Sequence, residues 1–215
     1  MEFLLTHINL INVTVLLTFI YAFFNLNRKV KVNVYLLIIL FCGLVSEIAI
    51  IILNSYSIRI TYSHLISTFF FHLLWLLVLN MYVTKKKLLL YLICFFILFS
   101  IANFTVVYVS NKYNFNSFVL GSIIYTLFFI KENSRQMKAE SLEFFISDIY
   151  LLIFSPLMFM LGLSLILSFA KAEILRAEMF WGLTLYQVFV NLVCLVYYTL
   201  INTYIYRQKT RLQYG

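Results

Sequence analysis

The chain predicts an all-α polytopic membrane protein: a bundle of seven transmembrane helices, amino terminus outside and carboxy terminus cytoplasmic. Three observations predict it. Of 215 residues, 64% are hydrophobic and 11% are charged, against about 45–50% and about 25% in soluble domains. Apolar runs of roughly 20 residues, the length a helix needs to cross a hydrocarbon core of about 30 Å, recur from end to end. Cations cluster in every second connection, the pattern that orients membrane proteins.

The seven segments run from about Phe3–Phe24, Val32–Leu53, Tyr62–Val83 and Leu88–Val109 to Phe115–Ile130, Leu142–Phe169 and Met179–Tyr206. The first has no basic n-region and no small-residue cleavage pattern after it, so it reads as a retained helix rather than a signal peptide. The fifth is short, and the sixth is long enough to tilt, kink or begin along the surface. The connections are short, so residues 1–215 form a single transmembrane domain.

Charge follows the segments. Arg28, Lys29 and Lys31, then Lys85, Lys86 and Lys87, then Lys131, Arg135 and Lys138, then Arg207, Lys209 and Arg211 make four clusters of three, 12 of the 16 cations. Arg59, Lys112, Lys171 and Arg176 fall on the other side. The net charge of +8 is therefore an orientation signal and not a nucleic-acid signal. The mixed-charge stretch Lys131–Glu140 reads as the longest cytoplasmic connection, and the tail after Arg207 as a short basic segment.

Several function classes are excluded. Cys42, Cys94 and Cys194 lie in apolar runs and form no C-x-x-C, so neither a disulfide framework nor a zinc site is indicated. No P-loop and no dinucleotide fingerprint occurs. The last apolar segment carries no lysine for a retinal Schiff base. His64 and His72 stand eight residues apart, about 12 Å along one helix, too far to share a metal ion. No cofactor and no catalytic residue is expected.

Polar groups at membrane depth are costly and therefore point to function. Glu47 in the second segment is foremost. With His7, Asn12, His64, Asn103 and Gln187 it falls in the outer half of the expected span, which predicts an outward-facing polar pocket with Glu47 as its charge and His64 or His7 as partner. Asp148 lies at the cytoplasmic side, within reach of Lys138 or water. Pro156, the only proline, predicts a kink, and with Gly162 a hinge. Trp75 stands at mid-depth, away from the interfaces that Trp prefers.

Four features carry a resemblance. Gly43 and Ser46 precede the acidic Glu47, the stretch Phe118–Ser122 opens the fifth segment, a long sixth segment follows a mixed-charge connection, and the tail is basic. In these the whole chain is similar to small seven-helix membrane proteins of Bacteroidetes-type bacteria, some of which resemble the membrane modules of sensor proteins. The resemblance implies a multi-pass protein of a bacterial inner membrane with no assigned enzymatic activity. The expected function is a non-enzymatic sensory or accessory subunit, in contact with membrane lipids and acting through a membrane or cytoplasmic protein partner. A small-solute transporter or channel is the alternative, since the helix layout resembles sugar transporters of the SWEET and PQ-loop type without their proline-glutamine signature. An intramembrane enzyme is the third reading.

Overall fold

The computed structural model describes residues 10–56, 60–110, 115–168, 178–180 and 183–214. The described chain is almost entirely helical: α1 (Leu10–Asn25), α2 (Lys31–Ser55), α3 (Thr61–Tyr82), α4 (Lys86–Ser110), α5 (Asn116–Lys138), α6 (Leu142–Ile146), α7 (Asp148–Ser168) and α8 (Leu185–Tyr214). Before α8, β1 (Glu178–Phe180) and β2 (Leu183–Thr184) form a small antiparallel pair. Helices are forced on such a sequence, because hydrocarbon offers no partner to a backbone N–H or C=O and a helix satisfies its own.

The expected seven-span bundle is corrected here. Among the described residues, five helices are long and apolar enough to cross a membrane: Lys31–Ser55, Thr61–Tyr82, Lys86–Val109, Asp148–Leu167 and Leu185–Thr210. The described part of α1 has 16 residues, about 24 Å of helix. In α5 the apolar run stops at Ile130, about 22 Å from its start, and Lys131, Glu132, Arg135 and Lys138 continue the same helix. Over the described residues, neither stretch reaches the hydrocarbon thickness of about 30 Å. The result is an all-α polytopic membrane protein with five candidate spans among its described residues, and the orientation read from seven-fold alternation falls with the seven-span count.

The other boundaries also move. Residues 131–138, expected in a connection, are helical, and α8 runs on through the expected tail to Tyr214. The long sixth segment is split. Ser147 leaves the helix with an extended ψ of 154°, and its hydroxyl accepts the Tyr150 N–H at 3.1 Å, the geometry of an N-cap. Asp148 then opens α7, where a carboxylate complements the positive end of the helix dipole. After α5, Glu140 takes a left-handed φ of 50°, the usual way a helix ends.

The helices close into a ring. α1 packs on α2, α2 on α3, α3 on α5, α5 on α7, α7 on α8, and α8 returns to α1. α4 leans against α3 and α5 from outside, and α3 reaches α7 across the middle. That middle is an aromatic and aliphatic layer. Phe71 meets Phe159 at 4.9 Å between ring centroids, Phe159 meets Tyr197 at 5.1 Å, and Trp75 meets Tyr197 edge-on at 6.3 Å. Leu76, Ile153, Met160 and Ile201 beside them are fully buried. Trp75 is a core residue, which explains its depth.

Pro156 sits inside α7 and can donate no hydrogen bond to the carbonyl four residues back, Leu152. The Ser155 hydroxyl takes up that carbonyl at 2.9 Å, and the Tyr125 hydroxyl from α5 donates to the next one, Ile153, at 2.7 Å. The proline defect is therefore pinned from two sides. Gly162 lies where a Cβ would stand 2.6 Å from Val193 Cγ2, so its lack of a side chain sets the approach of α7 to α8.

Candidate functional site

The end of the bundle away from the basic clusters holds the candidate site. Asn12 on the first turn of α1 donates its amide to Glu47 Oε2 on α2 at 2.8 Å. Glu47 is half-buried and lies within electrostatic range of Cys194 and Tyr198 on α8. The carboxylate thus stands at the seam of three helices, and its amide partner is the device by which α1 is tied to α2. The void beside it, between Leu10, Ile11, Thr14, Asn191, Cys194 and Leu195, is about 10 Å³, room for no more than a single water.

Of the residues grouped with Glu47 by sequence, Asn12 joins it. His7 lies outside the described residues. His64 is half-buried at the start of α3, where its carbonyl accepts from the Ser67 hydroxyl at 3.1 Å. Asn103 is buried on α4, the outer helix, whose main packing is against α3 and α5. Gln187 is exposed and caps α8: its Oε1 accepts the Thr184 N–H at 2.9 Å, and its own N–H is given to Thr184 Oγ1 at 3.3 Å. This reciprocal pair is a capping box, and Thr184-x-x-Gln187 is its sequence signature.

The basic end carries two buried carboxylates. Asp148 accepts from Gln208 Nε2 at 3.0 Å and faces Arg207 Nη1 at 3.8 Å, while Arg207 also donates to the Ile146 carbonyl at 3.2 Å. These partners come from α8, in place of the Lys138 that sequence put in reach. Glu132 is 3% exposed and collects more donors. Arg135 Nε at 3.0 Å, a second, shorter bond from Arg135 Nη2, and Gln136 Nε2 at 3.1 Å all reach Oε1. The Thr84 N–H and hydroxyl reach Oε2, each at 3.4 Å. Burial alone would raise this carboxyl, but the hydrogen bonds from Arg135, Gln136 and Thr84 outweigh it and hold the group below its ordinary value. Glu132 thereby fastens the α3–α4 turn to α5.

Two further polar contacts stitch the same end. The Tyr204 hydroxyl donates to Asn33 Oδ1 at 2.6 Å, and Asn33 Nδ2 donates to the Asn27 carbonyl at 3.0 Å. Asn202 Nδ2 donates to Thr18 Oγ1 at 3.1 Å, closing α8 onto α1. At mid-depth, His72 is fully buried. Its Nδ1 donates to the Thr68 carbonyl at 2.9 Å, and its Nε2 stands 3.2 Å from Ser122 Oγ, whose hydroxyl also reaches the Phe118 carbonyl at 2.9 Å. A Cβ on Gly121 would stand 2.4 Å from His72 Cδ2, so glycine is what lets α5 lie against the ring.

No protein-family model, curated protein or solved structure matches the chain. Among the described residues no group of three His, Cys, Asp or Glu side chains is placed to hold a metal ion. What remains is a polytopic, mostly helical membrane protein with no evident metal or cofactor centre among its described residues. Its half-buried acid, Glu47, joins three helices at one end, and its best-anchored acids lie at the other.

Proposed function

We propose that the protein is a non-enzymatic sensory or accessory subunit of a bacterial inner membrane, and that Glu47 is its responsive group. The observation that carries this reading is the Asn12–Glu47 hydrogen bond of 2.8 Å beside Cys194 and Tyr198. A carboxylate at that depth is costly unless it has a partner, and here one amide from a neighbouring helix serves. A cationic or hydrogen-bonding group from a ligand or partner helix that takes Asn12's place releases α1 from α2, and the packed ring passes the change to α8. The layer of Trp75, Leu76, Ile153 and Ile201 fills the path between Glu47 and the basic end, which favours this reading over transport. A neutral Glu47→Gln and a truncating Asn12→Ala variant test it. The expected result is an intact fold in both, with altered co-purification of the native membrane partner. Unchanged partner capture and unchanged melting in both variants overturn it.

A further inference from the structure

A further cavity lies away from Glu47. It is a groove of about 460 Å³ between α2 and α3, on another face of α2. Its apolar lining is Phe41, Val45, Ala49 and Leu53 of α2 with Ile66 and Phe70 of α3, and small polar residues stand among them. Both walls are candidate spans. Phe41, Val45 and Phe70 at its mouth are 53%, 48% and 44% exposed, so the groove opens sideways into whatever surrounds the bundle at membrane depth.

We propose that this groove holds one acyl chain of a bilayer lipid. The walls are mostly apolar, and of the serines among them, Ser46, Ser63 and Ser67, the Ser67 hydroxyl already donates to the His64 carbonyl, so water finds few partners there. An unfilled groove would leave its lining without dispersion contacts. The shape selects the occupant. From Phe41 to Leu53 the groove follows α2 for about 18 Å. A second helix is about 10–12 Å across, too wide to enter this groove, and would lie over it. A single unbranched hydrocarbon chain lying parallel to the helices does not exceed the groove's volume. Tyr56 is exposed just beyond Leu53, and Tyr62 across the turn packs on Phe104 and Tyr108. These tyrosines mark an interface where a headgroup belongs, so the chain enters from that level with its methyl end toward Phe41 and Phe70.

The site is independent of the role given to Glu47. It is tested with the full chain in vesicles of phosphatidylethanolamine and phosphatidylglycerol, the latter carrying a diazirine in one acyl chain. Photolabelling concentrates in residues 41–53 and 66–70, and Ala49→Phe or Val45→Phe lowers it there by roughly ten-fold. Leu98→Phe, on the exposed face of α4, leaves it unchanged. Equal melting temperatures show that the filled variants fold. Labelling spread evenly over α4 and α2, or insensitive to filling, overturns the proposal. So do protein-to-protein cross-links at these residues, which would make a second copy the occupant.

Discussion

Glu47 and Glu132 are both acids on helices of an apolar bundle, and the two ends of the molecule treat them differently. Glu132 receives hydrogen bonds from three residues on two elements and is 3% exposed. Among the described residues, the hydrogen bond to Glu47 comes from Asn12 alone. A carboxylate has about four lone-pair sites, so Glu132 is close to saturated and Glu47 is not. A saturated buried acid is a structural fastening. An acid held by a single neutral donor can exchange it for another, which is why the responsive role is placed at the sparsely bonded end.

The largest effect is expected at the fastening. Glu132→Ala strips the Thr84 backbone N–H and the Gln136 amide of their acceptor and should cost on the order of 3 kcal/mol, read as a lower melting temperature in detergent. The same group gives a pH dependence. Its carboxyl is held below the unfolded value, so its stabilisation is complete above the unfolded carboxyl range of about 4.3. It is lost as pH falls through the depressed folded value. Glu132→Gln should flatten that acid limb. An unaltered limb would show that Glu132 is not the group that fastens this end.

Gly121→Ala asks whether the layer between the ends is rigid. The new Cβ meets His72 Cδ2 at 2.4 Å and Cγ at 2.7 Å, on a ring held by Thr68 and Ser122. The ring cannot retreat easily, and about 2 kcal/mol of overpacking is expected. Removing the ring as well, in Gly121→Ala with His72→Ala, should cost less than the sum of the two single changes, as residues in contact do. Strict additivity would mean that the layer yields and does not separate the ends.

Asp148→Asn is intermediate. The Gln208 amide keeps an acceptor, while the charge facing Arg207 and the α7 amino end is lost, about 1 kcal/mol. A loss as large as that of Glu132→Ala would place both acids in one class and sharpen their contrast with Glu47.

How much of this is legible in the sequence follows from the range of the interactions. The membrane class and most helices can be read from apolar runs, because bilayer thickness sets their length. Glu47 and Asn12 stand out as polar residues in such runs. Glu132 does not, since it lies in a stretch of alternating charge that reads as a connection. Arg135 and Gln136, three and four residues on, are visible as helical neighbours, but Thr84 is 48 residues away and no local pattern links them. The span count fails at α5 for a related reason: the helix does not end where its apolar run ends. Gln187 shows the opposite error. Its capping box with Thr184 is local and readable, yet depth alone groups this polar residue with Glu47.

Glu47→Gln should have the smallest effect on stability. The amide that replaces the carboxylate still offers an oxygen to Asn12, and interhelical hydrogen bonds of this kind average about 0.6 kcal/mol. The melting temperature should therefore hardly move, in contrast to Glu132→Ala, while partner capture changes. That dissociation is what the unequal bonding of the two acids requires. If Glu47→Gln instead unfolds the protein, the seam of α1, α2 and α8 is a fastening like that of Glu132, and the responsive group must be sought elsewhere. A carboxylate that binds must be dispensable to the fold, because the donor that arrives has to displace one already there.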